Sequence, residues 1–196
     1  MKPISFDEVL NLPEYEIARP DFHRKVMERK KRRRVALGPL LTLVFENRDT
    51  VLFQIQERLR IERIVRPQKV QEELDVYNEL LPDAGEVAAT LFIEVTGPAQ
   101  VEPALDRMAG LDAAGKLFLR SENLLFPARF AGGHRREDGV SAVHSIRFAL
   151  GDEGRTALAH TGRADVEVDH AGYRARVALP PETVEELRED LGEVES

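Results

Sequence analysis

Cysteine is absent from all 196 residues. That excludes a disulfide framework, a thiolate nucleophile, a Cys-ligated zinc and a Cys-held iron–sulfur cluster on this chain. Tryptophan is absent as well, and aromatic residues make up 6% of the composition. Platforms for single-stranded nucleic acid need flat rings beside basic residues, so that class is disfavoured. Long apolar runs are missing too: the longest nearly uncharged stretch, residues 35–45, is broken by Gly38-Pro39 and falls short of a membrane span. The first residues, Met1-Lys2-Pro3-Ile4-Ser5-Phe6-Asp7-Glu8, lack the apolar segment of a secretory signal. A cytoplasmic location with no membrane association is the expectation.

The residues that are present, 42% hydrophobic and 32% charged, describe a globular chain long enough to bury a substantial core as one domain or two small ones. The net charge of -7 is spread unevenly, because residues 24–34 hold eight basic side chains against Glu28. That segment alone is formally +7, so the other 185 residues sum to -14. Arg24, Lys25, Lys30, Lys31, Arg32, Arg33 and Arg34 read most simply as a solvated helix end that faces acids of the same fold. The sharper reading is a patch for an anionic partner. The acidic balance of the whole chain disfavours nucleic acid as that partner.

Ser5 and Glu8 have capping-box spacing for a short helix ending near Pro13, and Asp21 opens a second helix to about Arg33. Residues 35–37 and 41–45 are short strands about the Gly38-Pro39 turn. Val70, Leu74, Tyr77 and Leu81 mark an amphipathic helix, and Pro82-Asp83-Ala84-Gly85 is the internal boundary. Beyond it the order strand, helix, strand occurs at 89–96, 101–108 and 116–119 and again at 142–150, 153–160 and 164–169. Ala-Leu pairs at Ala104-Leu105 and Ala157-Leu158 make this a candidate duplication. Asp169-His170-Ala171-Gly172 turns the chain into a strand at 173–179. Pro181 starts a last helix with Val184, Leu187 and Leu191 on one side and an acidic exterior, and residues 132–139 read as a flexible glycine-rich loop. The fold class is α+β: N-terminal helices with a short strand pair (residues 1–84), then a mainly antiparallel sheet with packed helices (residues 85–196), together one compact unit.

Residues 51–65 carry charge in an unusual place. As a helix, the stretch puts Gln54, Arg58 and Glu62 in the middle of a face shared with Val51, Ile55, Leu59, Ile61 and Val65. A strand reading competes because apolar residues also fall on odd positions, but about 16 residues is long for a strand. A packed face would bury Arg58 and Glu62, which must then pair with each other or with groups from elsewhere. His144 shares a strand face with Ala142, Ile146, Phe148 and Leu150 and is expected to be buried against that polar line. Other motifs fail on chemistry. Residues 110–117 resemble a phosphate loop but have Leu117 where a hydroxyl would hold magnesium, and they run from helix to strand. Glu167 and His170 have di-iron spacing but sit on a strand, where positions three apart face opposite ways, so no metal site or cofactor is assigned. His23, His134 and His160 read as surface residues.

Several segments resemble one bacterial family. They are Arg33-Arg34-Val35-Ala36-Leu37-Gly38-Pro39, Phe45-Glu46-Asn47-Arg48, Gln54-Ile55-Gln56-Glu57 with Leu59-Arg60-Ile61-Glu62-Arg63-Ile64, Glu73-Leu74-Asp75 with Tyr77-Asn78, and Ala142-Val143-His144 with Arg147-Phe148. The family is known only as domain of unknown function thirty-five-oh-one, and it offers no catalytic residues to transfer. Its members are often encoded beside a rubrerythrin-like di-iron protein and an iron–sulfur oxidoreductase. The resemblance therefore implies a role in peroxide or electron-transfer metabolism and those two proteins as partners. Three functions are carried forward: an accessory or interaction protein of such a redox system; an enzyme or anionic-ligand-binding protein with an Arg58, Glu62 and His144 pocket; and nucleic-acid binding through the basic helix. A homo-oligomer is compatible with each.

Overall fold

A computed structural model describes residues 1–95, 97–131 and 142–192. The glycine-rich loop and His134 lie outside the described residues. A 3-10 turn at Phe6–Glu8 has the expected Ser5/Glu8 capping box. The first long helix, α1 (Leu12–Arg33), begins earlier than its sequence suggests and runs through Pro20. Pro13 sits in its first turn, where a missing N–H costs nothing, and Asn11 caps it by accepting from the Glu14 amide at 3.0 Å. Pro20 removes one internal hydrogen bond. The helix continues because contacts on both sides of that residue, Tyr15 and Arg19 against Glu57 before it and Phe22 against Phe53 after it, hold the chain in place.

The two expected short strands, β1 (Arg34–Leu37) and β2 (Leu41–Glu46), form a hairpin rather than one bent strand, followed by α2 (Arg48–Glu62) and α3 (Pro67–Asn78). Asn47 caps α2 by accepting from the Thr50 amide, and Arg63 ends it in the left-handed conformation. The remaining elements are β3 (Glu86–Ile93), α4 (Val101–Arg107), β4 (Leu117–Ser121), β5 (Leu124–Phe130), β6 (Val143–Ala149), α5 (Gly151–Thr161), β7 (Asp165–His170), β8 (Tyr173–Ala178) and α6 (Pro181–Gly192). Both strand–helix–strand units of the candidate duplication are present, as β3-α4-β4 and β6-α5-β7.

Among the described residues eight strands join one antiparallel sheet in the order β1-β2-β3-β6-β5-β4-β7-β8. It is nearly closed into a barrel, a feature the sequence pattern does not reveal. Two devices make the closure. β5 pairs with β4 through Leu124, Leu125, Phe126 and Pro127 and then with β6 through Ala128, Arg129 and Phe130, so it passes from one half of the sheet to the other. Pro127, which has no N–H to give a ladder, stands where the pairing changes sides. Across the seam between β8 and β1, the Tyr173 hydroxyl donates to the Leu37 carbonyl and accepts from the Leu40 amide. Gly38, at φ 70°, leaves the space that this ring needs.

Side chains on the inner face, among them Leu43, Phe45, Leu91, Phe148 and Val166, form one core with Met108, Leu158, Leu187 and Leu191 from the helical segments. A second, smaller core joins α2 and α3 to the N-terminal segment through Ile4, Val51, Ile55, Leu59, Val70 and Leu74. Among the described residues no helix is long and apolar enough to cross a membrane.

Candidate functional site

The helix over residues 51–65 exists, but its packing corrects the expected polar centre. Arg58 and Glu62 do pair with each other, one turn apart, and Arg58 also lies 3.5 Å from Glu73 of α3. Their side chains are nevertheless 43% and 42% exposed. Ile61 and Val65, expected on the packed face, are 68% and 67% exposed. Val51, Ile55 and Leu59 are buried as expected, and Thr50, Phe53 and Gln56 join them. Gln56 is taken inside near the middle of the helix, where its amide exchanges two hydrogen bonds with the Leu10 backbone. Gln54 is half-buried and donates to Glu46 at 3.1 Å. His144 lies elsewhere, opposite Leu91 on the inward face of the sheet, with its ring edge-on to Phe130 at 5.5 Å. Gln54 meets Glu46, and Arg58 meets Glu62 and Glu73, whereas His144 shares the sheet face of Ile146 and Phe148.

The buried charge belongs to Arg33. Assigned by sequence to a solvated basic patch, it is fully buried with 0% exposure. It closes the end of α1 against α6: Nε donates to Glu186 at 2.9 Å, and the terminal nitrogens fork onto Asp190 at 2.7 and 2.8 Å. Two further bonds extend this contact. Asn47 Nδ2 donates to Asp190 at 3.3 Å, and the neighbouring Thr50 hydroxyl donates to Glu46 at 2.6 Å. Glu46 also accepts from Thr90 at 2.8 Å. The result is a continuous polar seam through α1, α6, the start of α2 and strands β2 and β3.

Three carboxylates share this seam with one buried guanidinium. Arg29 and Arg32 reach Glu186 from the surface, at 3.1 and 3.4 Å. Burial works against the Arg33 cation, yet the bonds it donates to Asp190 and Glu186 carry its pKa above the ordinary value. Burial pushes the Asp190 carboxyl up, against the pull of Arg33 and Asn47. The expected acidic exterior of α6 is therefore corrected at Glu186 and Asp190, which face inward. The cause is a spacing of four that puts both acids beside the apolar stripe of that helix.

A second cluster ties α1 to α2. Glu57 accepts from Arg19 at 2.7 and 3.1 Å, from the Tyr15 hydroxyl at 2.8 Å and from Arg60 at 3.2 Å. The Arg19 guanidinium is the main reason its carboxyl is held down at about 2. Burial, followed by the bond to Glu57, raises the Tyr15 phenol.

The rest of the basic segment stays on the surface, much of it in ion pairs within the fold: Arg24 with Asp21, Lys31 with Glu28, Arg34 with Glu94, and Arg29 with Asp49 and Glu186. Lys30 lies over the Phe53 ring at 5.6 Å. Lys25 is exposed. It borders a shallow depression of about 780 Å³ along α1, whose walls include Arg24, Arg29 and Arg32 and whose floor is Phe22 and Val26. Phe22 is fixed there by edge contacts with Tyr15 and Phe53 at 6.2 and 6.0 Å. Among the described residues no group of three or more His, Asp or Glu is placed to hold a metal ion.

The family model described as Protein of unknown function (DUF3501) matches residues 3–191. A crystal structure of a novel protein of unknown function from Burkholderia pseudomallei K96243 is similar to this chain, with 34% sequence identity and a TM-score of 0.89. The match covers 97% of this chain and 100% of the other. No curated protein matches.

Proposed function

This chain belongs to the DUF3501 family of proteins of unknown function, and we propose that it acts as an accessory interaction protein, engaging a partner protein through the outer face of α1. One observation carries this reading: α1 presents an open depression with basic walls and an apolar floor on a chain whose net charge is -7. Its surface ion pairs are weak in water, so their cations are available to a partner at little cost. The buried charges, by contrast, are committed to one another in the Arg33 seam.

The partners implied by the family resemblance are a rubrerythrin-like di-iron protein and an iron–sulfur oxidoreductase of the same cell. A photo-crosslinking residue placed at position 24 or 25, with each purified candidate added under reducing and oxidising conditions, tests the reading. The expected outcome is a crosslinked heterodimer and co-migration in size-exclusion chromatography. If neither candidate forms a complex in either condition, the redox assignment fails.

A further inference from the structure

The same face of α1 already holds one acidic helix, the chain's own α6. Arg29 lies 3.1 Å from Glu186 and 3.7 Å from Glu189, Arg32 lies 3.4 Å from Glu186, and Arg33 grips Asp190. The Thr183 hydroxyl completes the contact by donating to the Arg32 carbonyl at 2.5 Å. The fold thus shows how this helix recognises carboxylates: a row of cations one turn apart meets acids at matching spacing, while the apolar residues of the acidic helix go to the barrel core.

The row does not stop where α6 does. Lys25, Arg29 and Arg32 stand at spacings of four and three, so they share one side of α1 over about 10 Å. The depression beside them has Phe22 and Val26, one turn apart, as its floor. We infer that this continuation of the ridge seats an acidic amphipathic helix of a partner protein, its carboxylates on Lys25 and Arg32 and its apolar side on Phe22. This rests on the reading of the chain as an interaction protein and names the chemistry of the partner.

Two features select a peptide over a nucleic acid. Glu28 and Asp49 also line the depression. A helix can place its few carboxylates between them, whereas a phosphate backbone carries charge at every step and meets repulsion there. The apolar floor offers nothing to a phosphate and a contact to a leucine. The pair between Arg24 and Asp21, whose side chains are 71% and 79% exposed, exchanges readily for a new partner.

The test uses the full chain and a fluorescein-labelled 18-residue peptide with glutamates at spacings of four and three and leucines on the adjoining face. Controls are the same peptide with glutamine for glutamate and a labelled single-stranded 20-mer oligonucleotide. Fluorescence anisotropy is expected to show saturable binding of the acidic peptide, at least tenfold weaker for the glutamine peptide. The double variant Lys25→Glu with Arg32→Gln should weaken binding at least tenfold, and Lys25→Glu alone, which leaves the Arg32–Glu186 pair in place, should weaken it several-fold with the thermal midpoint unchanged. A Phe22→Ala variant should weaken it several-fold even at high salt, which a purely ionic contact would not do. Equal binding of the two peptides, or preference for the oligonucleotide, overturns the inference. A crosslinked partner whose retention ignores the double variant also overturns it, while leaving the interaction reading in place.

Discussion

Replacing Arg33 with methionine separates a buried ion network from a surface one, because it keeps most of the side-chain volume and removes the charge. In the native protein that guanidinium is 0% exposed and supplies the forked bonds to Asp190 and the bond to Glu186. After the change Glu186 keeps Arg29 and Arg32, at 3.1 and 3.4 Å, whereas Asp190 keeps the Asn47 amide at 3.3 Å. Removing one partner of a buried pair costs about 3–5 kcal/mol, chiefly because the other charge stays buried. For a chain of this length that lowers the melting midpoint by about 6–20 °C. The pH dependence follows from the stranded acids. Burial already pushes the Asp190 carboxyl up and the loss of Arg33 raises it further, so its contribution is fully present below the unfolded pKa near 4 and is lost as pH rises through the folded one. The deficit relative to wild type should therefore be smaller at pH 5 than at pH 8. Urea unfolding followed by circular dichroism at both pH values measures it, with Arg58→Ala as the surface control, expected to lose less than about 1 kcal/mol. An Arg33→Met deficit under about 1 kcal/mol, or one indifferent to pH, would refute the account of the seam.

Three further substitutions probe other parts of the fold. Tyr173→Phe keeps the ring but removes the hydroxyl that joins Leu37 and Leu40 across the barrel seam; a loss of about 1–2 kcal/mol is expected, with faster hydrogen exchange confined to β1 and β8. Unchanged exchange there would show that the seam closes without it. Gly172→Ala drives a methyl group into the Arg107 backbone carbonyl, beside the 2.5 Å bond from Arg107 Nε to the Gly172 carbonyl; thermal melting should record a loss of about 1–3 kcal/mol, and a neutral result would mean the β7–β8 turn moves freely from α4. Glu57, held at about 2 mainly by Arg19, contributes stability that is present above its ordinary pKa of 4.5 and lost as pH falls toward 2. Glu57→Gln should accordingly flatten the acid limb of a stability–pH curve between those values, and an unaltered limb would assign it to other acids such as Glu8, also held at about 2.

The elements with one clear hydrophobic period were legible in the sequence. α3 has one apolar stripe and one packed side, and the β1–β2 hairpin follows from alternation about Gly38-Pro39. α2 was legible as a helix but not in its orientation. It lies between α1 and α3, and each covers a different sector, so its apolar residues alone do not fix which polar ones go in. Gln56 went inside, while Ile61 and Val65, at and beyond the helix end, stayed out. β5 was hidden by Pro127, which argues against an interior strand unless the strand changes partners at that residue. Arg33 was hidden by its neighbours, since six consecutive cations at residues 29–34 give no reason to prefer one. A signal was nonetheless present: buried Val35 and Leu37 alternate with exposed Arg34 and Ala36, and the same period extended back one step reaches Arg33. The strand's inward face thus begins within the last turn of α1. A cation placed there must find acids, and the nearest acids with a spacing that fits a fork are one turn apart on α6, 153 and 157 residues away in sequence. The distance along the chain, not any weakness of the chemistry, is what kept the centre of this molecule out of a local reading.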